Sequence, residues 1–207
     1  MAEQINGFFP GELLPTTTVG GCIDIFEGAW PNPKETIEAM DFACSSLDSG
    51  ARWVRAKTVG NRGSEKRTNN FLSVTEEAMR DSAIFQNIHN QMNMLLLATT
   101  IPYAKKHDIE ALYHEGYQAL KYSGGQEYKA HADGTTAMGR AVSAIVYLND
   151  NYSGGEVEFV NFGLKIKPKP GMLLLFPSTY PYTHIAHPVT EGLKYALVTW
   201  IHDRPLD

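Results

Sequence analysis

Y-S-G-G-Q-E-Y-K-A-H-A-D, residues Tyr122 to Asp133, ends in an imidazole and a carboxylate two positions apart, His131 and Asp133. In a strand, residues i and i+2 point to the same face, so one short strand can aim both groups at one point. A lone H-x-D pair occurs by chance, and two ligands do not make a firm metal site. A third is available downstream in P-Y-T-H-I-A-H-P-V-T-E-G-L-K-Y-A-L-V-T-W, residues Pro181 to Trp200. His184 can be that ligand, and its rival is His187, three residues on; spacing alone leaves both open. Two imidazoles and one carboxylate on one side of an ion, with the remaining positions free, form the facial triad of non-haem Fe(II) oxygenases.

Around this stretch the chain changes character. From Glu110 onward it consists of short β-branched and aromatic runs separated by Gly, Pro and Asn. Strands are expected over Tyr117–Tyr122, Arg140–Leu148, Gly155–Val160, Leu164–Ile166, Met172–Phe176 and Tyr195–Ile201. N-D-N-Y-S-G-G, residues 149–155, is a turn cluster. The amino-terminal half begins with a strand at Val19–Phe26. Asn32 then offers an N-cap, with Pro33 at the first helical position. Ile37, Met40, Cys44 and Leu47 recur at helical spacing over about four turns. A strand is expected over Arg52–Val59. The polar 60–70 run after it reads as a solvated hairpin loop or as a lid over a site. Ser73 or Thr75 can cap a short helix. A longer helix starts near Ser82 with Ile84, Ile88, Met92, Leu95 and Thr99 as its stripe, and Pro102 should kink or end it. Helices first and many strands afterwards indicate an α+β fold, an antiparallel sandwich or jelly roll backed by helices.

Composition bounds the function. The 207 residues suffice for one domain with a sizeable core, and no boundary is evident, so a single domain over 1–207 is expected. Lys and Arg number 18 against 23 Asp and Glu, a formal net charge of -5, which disfavours nucleic-acid binding. The opening M-A-E-Q-I-N-G-F-F-P lacks the basic region and long apolar core of a signal peptide, and the apolar runs are too short to span a bilayer. A cytoplasmic protein without a membrane partner is the expectation. Cys22 and Cys44 form no C-x-x-C motif and read as reduced, buried thiols.

The run E-G-Y-Q-A-L-K-Y-S-G-G-Q-E-Y-K-A-H-A-D resembles the ligand-bearing strand of the prolyl 4-hydroxylase family. Further blocks follow in that family's order. Gly139-Arg140-x-x-Ser143 with Tyr147-Leu148-Asn149 is similar to its R-x-x-T…Y-L segment. Gly154-Gly155-Glu156-x-x-Phe159 resembles its G-G-E-x-x-F turn. Lys167-Pro168 through Gly171 to Phe176 is similar to its K-P-x-x-G-x-x-x-x-F strand. His184 with Pro188-Val189, Gly192, Lys194 and Trp200 is similar to its distal block, and only His184, not His187, has proline four residues on. The likeness covers roughly 110–202.

The resemblance implies a double-stranded β-helix (jelly roll) with supporting amino-terminal helices, and an Fe(II)- and 2-oxoglutarate-dependent dioxygenase. Its cofactor is Fe(II), its cosubstrates are 2-oxoglutarate and O2, and ascorbate is a candidate reductant. It implies His131, Asp133 and His184 as iron ligands. Lys194 would be the cation for the far carboxylate of 2-oxoglutarate, helped by the hydroxyls of Tyr122 and Tyr147, with Tyr128 a weaker candidate. Lysine lacks the arginine fork, so hydroxyl help is expected. Asp133 points to hydroxylation, because related halogenases carry a small residue there. The expected partner is a proline-containing peptide or protein. Arg140 could meet substrate or hold the fold. Arg67-Thr68 resembles a family segment near the peptide groove, with Asn69 in place of the usual serine. The remaining histidines, His89, His107, His114 and His202, read as ordinary structural residues. The same chemistry on a free amino acid or another side chain, and a non-catalytic jelly-roll binding module, are the alternatives.

Overall fold

The computed structural model describes residues 3–4, 13, 15–45, 52–56, 66–74, 82–111, 113–135 and 139–204. In chain order the strands are β1 (Glu3–Gln4), β2 (Thr17–Val19) and β3 (Ile23–Phe26), then helix α1 (Pro33–Ser45), β4 (Val54–Arg55), β5 (Asn70–Val74) and helix α2 (Ala83–His107). The β-rich half follows with β6 (Tyr113–His114), β7 (Tyr117–Tyr122), β8 (Tyr128–His131), β9 (Arg140–Tyr147), β10 (Tyr152–Gly154) and β11 (Val157–Phe159). It closes with β12 (Leu164–Ile166), β13 (Leu173–Pro177), β14 (His184–Ala186), β15 (Val189–Gly192) and β16 (Lys194–His202).

The major sheet runs β2-β3-β13-β9-β16-β7-β5-β4, with β6 joined to β16 and β1. The minor sheet runs β12-β11-β14-β8, and β10 pairs with β15 alone. These pairings are antiparallel. The result is a jelly roll with two helices behind it and no closed barrel among the described residues. None of the described helices is long and apolar enough to cross a membrane.

Strand periodicity splits the interior into two cores. Val142, Ala144 and Val146 of β9 and Tyr195 and Leu197 of β16 face the helices, where they meet Met40, Phe85, Met92 and Leu96. Ile145 and Tyr147 of β9 and Ala196, Val198 and Trp200 of β16 face the minor sheet, where they meet Val157 and Phe159. All nine residues of β16 are buried because this central strand is covered on both faces, which makes it read as an unbroken apolar run.

Several expectations meet corrections. Helix α1 begins at Pro33 as expected, with the Asn32 carbonyl accepting from Thr36 N at 3.1 Å; Leu47 lies outside the described residues. Ser73 sits in β5 rather than at a cap position, opposite Gln118 of β7, while Leu72 buries on the helix side. Thr75 lies outside the described residues, as does most of the 60–70 run read as a loop or lid. The Arg52–Val59 strand reduces to Val54–Arg55 within what is described. Pro102 does not end α2, which continues to His107. A helical proline deprives the carbonyl four residues back of its N–H partner. Here Leu13 N donates to that carbonyl, Ala98 O, at 3.0 Å.

Candidate active site

β8 and β14 are antiparallel neighbours in a register that sets His131 opposite His184. Their rings lie 4.3 Å apart between centroids. Asp133 arrives differently from the sequence expectation: His131 ends β8, and Asp133 stands in the bend after it rather than on the strand. Its Oδ1 lies 3.3 Å from His131 Nε2 and its Oδ2 3.9 Å from His184 Nε2. The three residues offer ligand atoms all within 4.8 Å of one another, a group able to hold a metal ion.

The tautomers follow from backbone partners. His131 Nδ1 faces the Lys129 carbonyl at 2.9 Å, and His184 Nδ1 faces the Tyr182 carbonyl at 3.1 Å. A carbonyl can only accept, so each Nδ1 carries a proton and each Nε2 is left to face Asp133. Burial pushes His184 down to about 4 despite the Asp133 carboxylate, so its ring is neutral near pH 7. Burial would push the Asp133 carboxyl up. His184, His131 and the Ser143 hydroxyl outweigh it and hold that carboxyl well below the usual range. Two imidazole Nε2 atoms and a carboxylate thus converge, a donor set that suits a divalent cation.

Neighbours fix the carboxylate. Ser143 Oγ donates to Asp133 Oδ2 at 2.7 Å and lies 2.8 Å from Ser178 Oγ. Arg140 Nη1 donates to the Asp133 carbonyl at 2.9 Å, while Nη2 is paired with Glu115 Oε1. The same guanidinium lies 3.9 Å above the Trp200 ring. Glu115 is held in turn by His202 Nε2 at 2.8 Å.

The triad opens on a cavity of about 210 Å³ between the two sheets, and Lys194 lies in the same cavity. Lys194 and Tyr122 are cross-strand partners on β16 and β7, and Tyr147 on β9 is opposite Ala196. The register therefore gathers the three residues that the resemblance singled out. Lys194 Nζ lies 5.5 Å from the Tyr122 ring centroid and 5.0 Å from that of Tyr147. It donates to the Gly155 carbonyl at 2.6 Å. The side chain is 2% exposed, and burial lowers its pKa to about 7. Burial also raises both tyrosines, so their hydroxyls keep their protons and remain donors. A third ring, Tyr152, stands 5.9 Å from Nζ with its hydroxyl buried and unbonded. Sequence reasoning missed it, because a tyrosine inside a turn cluster carries no periodic signal.

Other residues fall where the pattern left them open. His187 does not join the group: its Nε2 is 2.6 Å from Glu158 Oε2. Tyr128 lies flat on His131, with centroids 3.4 Å apart and planes 11° apart. Arg67, Arg140 and Trp200 line the cavity. His89, His107, His114 and His202 lie outside it.

The jelly roll thus carries a clustered His/Asp/His group able to hold a metal ion, with a buried lysine farther along the same cavity. Comparison with known proteins shows what the chain is similar to. Residues 117–202 match the model of the 2OG-Fe(II) oxygenase superfamily. A candidate prolyl 4-hydroxylase of Acanthamoeba polyphaga mimivirus is 24% identical over 84% of this chain and 71% of its own. Probable prolyl 4-hydroxylase 9 of Arabidopsis thaliana is 27% identical over 69% of this chain. The chain matches 55% of that plant protein, about half its length. A Trichoplax adhaerens prolyl hydroxylase, solved with a hypoxia inducible factor peptide fragment, superposes with a TM-score of 0.69 at 20% identity. That superposition covers 89% of this chain and 84% of the other, and it shows the shared fold. Residues 117–202 are thus similar to the 2OG-Fe(II) oxygenase superfamily, and the chain is similar to prolyl hydroxylases in sequence and in fold.

Proposed function

We propose that this chain hydroxylates a prolyl residue of a peptide or protein, with release of succinate and CO2. In this reading His131, Asp133 and His184 hold Fe(II), and Lys194 pairs with the far carboxylate of 2-oxoglutarate. Tyr122 and Tyr147 donate hydroxyl hydrogen bonds to the same end. Iron, when bound, supplies the oxidative decarboxylation and the oxidising power for C–H hydroxylation. The chain's own residues do the rest. Ser143 and Arg140 orient Asp133 through its carboxylate and its carbonyl. Leu120, Ile145, Val157 and Val198 line the cavity with apolar surface that excludes water. The observation that carries the reading is the enclosure of the three candidate ligands and Lys194 in one cavity. The relatives' names supply the prolyl substrate.

The test is succinate formation from 2-oxoglutarate with Fe(II) and O2, with and without a proline-rich peptide, and with His131→Ala as control. Peptide-stimulated succinate absent from the variant is the expected result. Succinate indifferent to peptide would send the substrate search elsewhere. No succinate from iron-loaded protein would favour a binding module.

A further inference from the structure

Among the described residues three Lys or Arg side chains line the cavity, and two are engaged. Lys194 Nζ donates to the Gly155 carbonyl among tyrosine rings. Arg140 is paired with Glu115 and bonded to the Asp133 carbonyl. Arg67 differs. Its Nε donates to Asn69 Oδ1 at 3.0 Å, and neither Nη1 nor Nη2 has a hydrogen-bond or carboxylate partner among the described residues.

This free fork is held from several sides. Residue 67 bridges to Tyr128, Thr68 N donates to the Glu127 carbonyl at 3.0 Å, and Lys129 N donates to the Lys66 carbonyl at 2.9 Å. The segment therefore lies along the outer edge of β8. Asn69 is fully buried, and its Nδ2 donates to the Asn70 carbonyl at 2.8 Å, which aims Oδ1 at Arg67. The guanidinium carbon lies 5.1 Å from the Tyr128 ring centroid and 5.8 Å from that of Phe71. Tyr128 itself lies flat on His131. A planar cation fixed beside the candidate metal group, with two donors unspent, is prepared for a bidentate carboxylate, and little ordering entropy remains to be lost on binding.

We propose that Arg67 is a specificity-determining residue that binds a carboxylate carried by the substrate beside the residue to be hydroxylated. The inference rests on the prolyl hydroxylase reading and deepens it. The carboxylate has two available sources, an acidic side chain flanking the proline or the terminal carboxylate of a C-terminal proline. Asn69 is the positioning residue that holds the fork in place.

Two peptide pairs separate the sources: acetyl-AEPEA-amide against acetyl-AQPQA-amide, and acetyl-AAP as free acid against its amide. Peptide-stimulated and peptide-independent succinate are measured for wild type, Arg67→Gln and Arg67→Lys, each loaded with Fe(II). The acid member of one pair is expected to show kcat/KM about ten-fold above its neutral partner in wild type. The preference collapses in Arg67→Gln and is partly kept in Arg67→Lys, which retains the charge without the fork. The KM for 2-oxoglutarate in peptide-independent turnover stays unchanged. Equal rates within both pairs in wild type, or a preference that survives Arg67→Gln, overturn the assignment. A raised KM for 2-oxoglutarate in Arg67→Gln also overturns it, by moving Arg67 to the cosubstrate. No stimulation by any peptide, with peptide-independent succinate intact, overturns the prolyl reading and this one with it.

Discussion

Burial of the Lys194 ammonium costs stability. Its ordinary pKa of 10.5 drops to about 7 in the folded chain because burial disfavours the ammonium. As pH falls from 10.5 toward 7, the unfolded chain takes up a proton that the folded chain refuses, so Lys194 increasingly destabilises the fold. Below 7 both forms are charged and the penalty is constant. In the proposed function a dianionic cosubstrate against Nζ would reverse the preference. At pH 8, 2-oxoglutarate binding to metal-loaded protein should therefore take up about one proton, falling toward zero at pH 6. Calorimetry in buffers of different ionisation heats reads this uptake. Lys194→Met should raise the melting temperature of the ligand-free protein at pH 7 and abolish both the uptake and saturation by 2-oxoglutarate. A variant that melts lower, or that still takes up the proton, would remove Lys194 from the proposed role. Residues of this kind were legible only where matching blocks surrounded them. Lys194 and His184 came with Pro188, Gly192 and Trp200, whereas Tyr152 came with nothing but a turn.

At the scale of elements, alternation decides between the two downstream histidines. His184 and Ala186 of β14 share a parity and both line the cavity, so a residue at odd spacing from His184 faces away. His187 is at that spacing and reaches Glu158 on the other side of the minor sheet. The sequence spacing already implied that one of the pair points outward. Spacing alone does not say which; the Pro188 block favours His184, and the register of β14 against β8 sets His184 opposite His131. His187→Ala should leave iron stoichiometry and succinate formation near wild type, while His184→Ala should lose both; metal analysis of the purified variants checks it. If His187→Ala loses the iron instead, His184 is not the ligand. Ser73 as a cap and Pro102 as the end of a helix fail because of long-range contacts. Ser73 is a good cap residue but pairs with β7, and Pro102 is a helix breaker whose missing donor Leu13 supplies from far along the chain.

For the whole molecule, the two sheets meet at Asp133. The imidazoles come from the minor sheet on β8 and β14, whereas Ser143, which orients the carboxylate, comes from β9 of the major sheet. A metal bound by the three groups would fasten one sheet to the other, so the ion should act on global stability and not only on the cavity. Mn(II), which suits the same donors without turnover, should raise unfolding free energy by about 2.7 kcal/mol at a hundred-fold excess over its Kd. Thermal unfolding with and without Mn(II) measures the rise, and His131→Ala should abolish it. Ser143→Ala removes the 2.7 Å hydrogen bond that orients Asp133. Outer partners of metal ligands are typically worth about ten- to hundred-fold in affinity, so this variant should need correspondingly more Mn(II) for the same shift. Equal titrations for wild type and Ser143→Ala would mean that the bend carrying Asp133 is set by its backbone alone. The carbonyl bond from Arg140, itself braced by Glu115, would then be the contact between the sheets that holds the carboxylate in place.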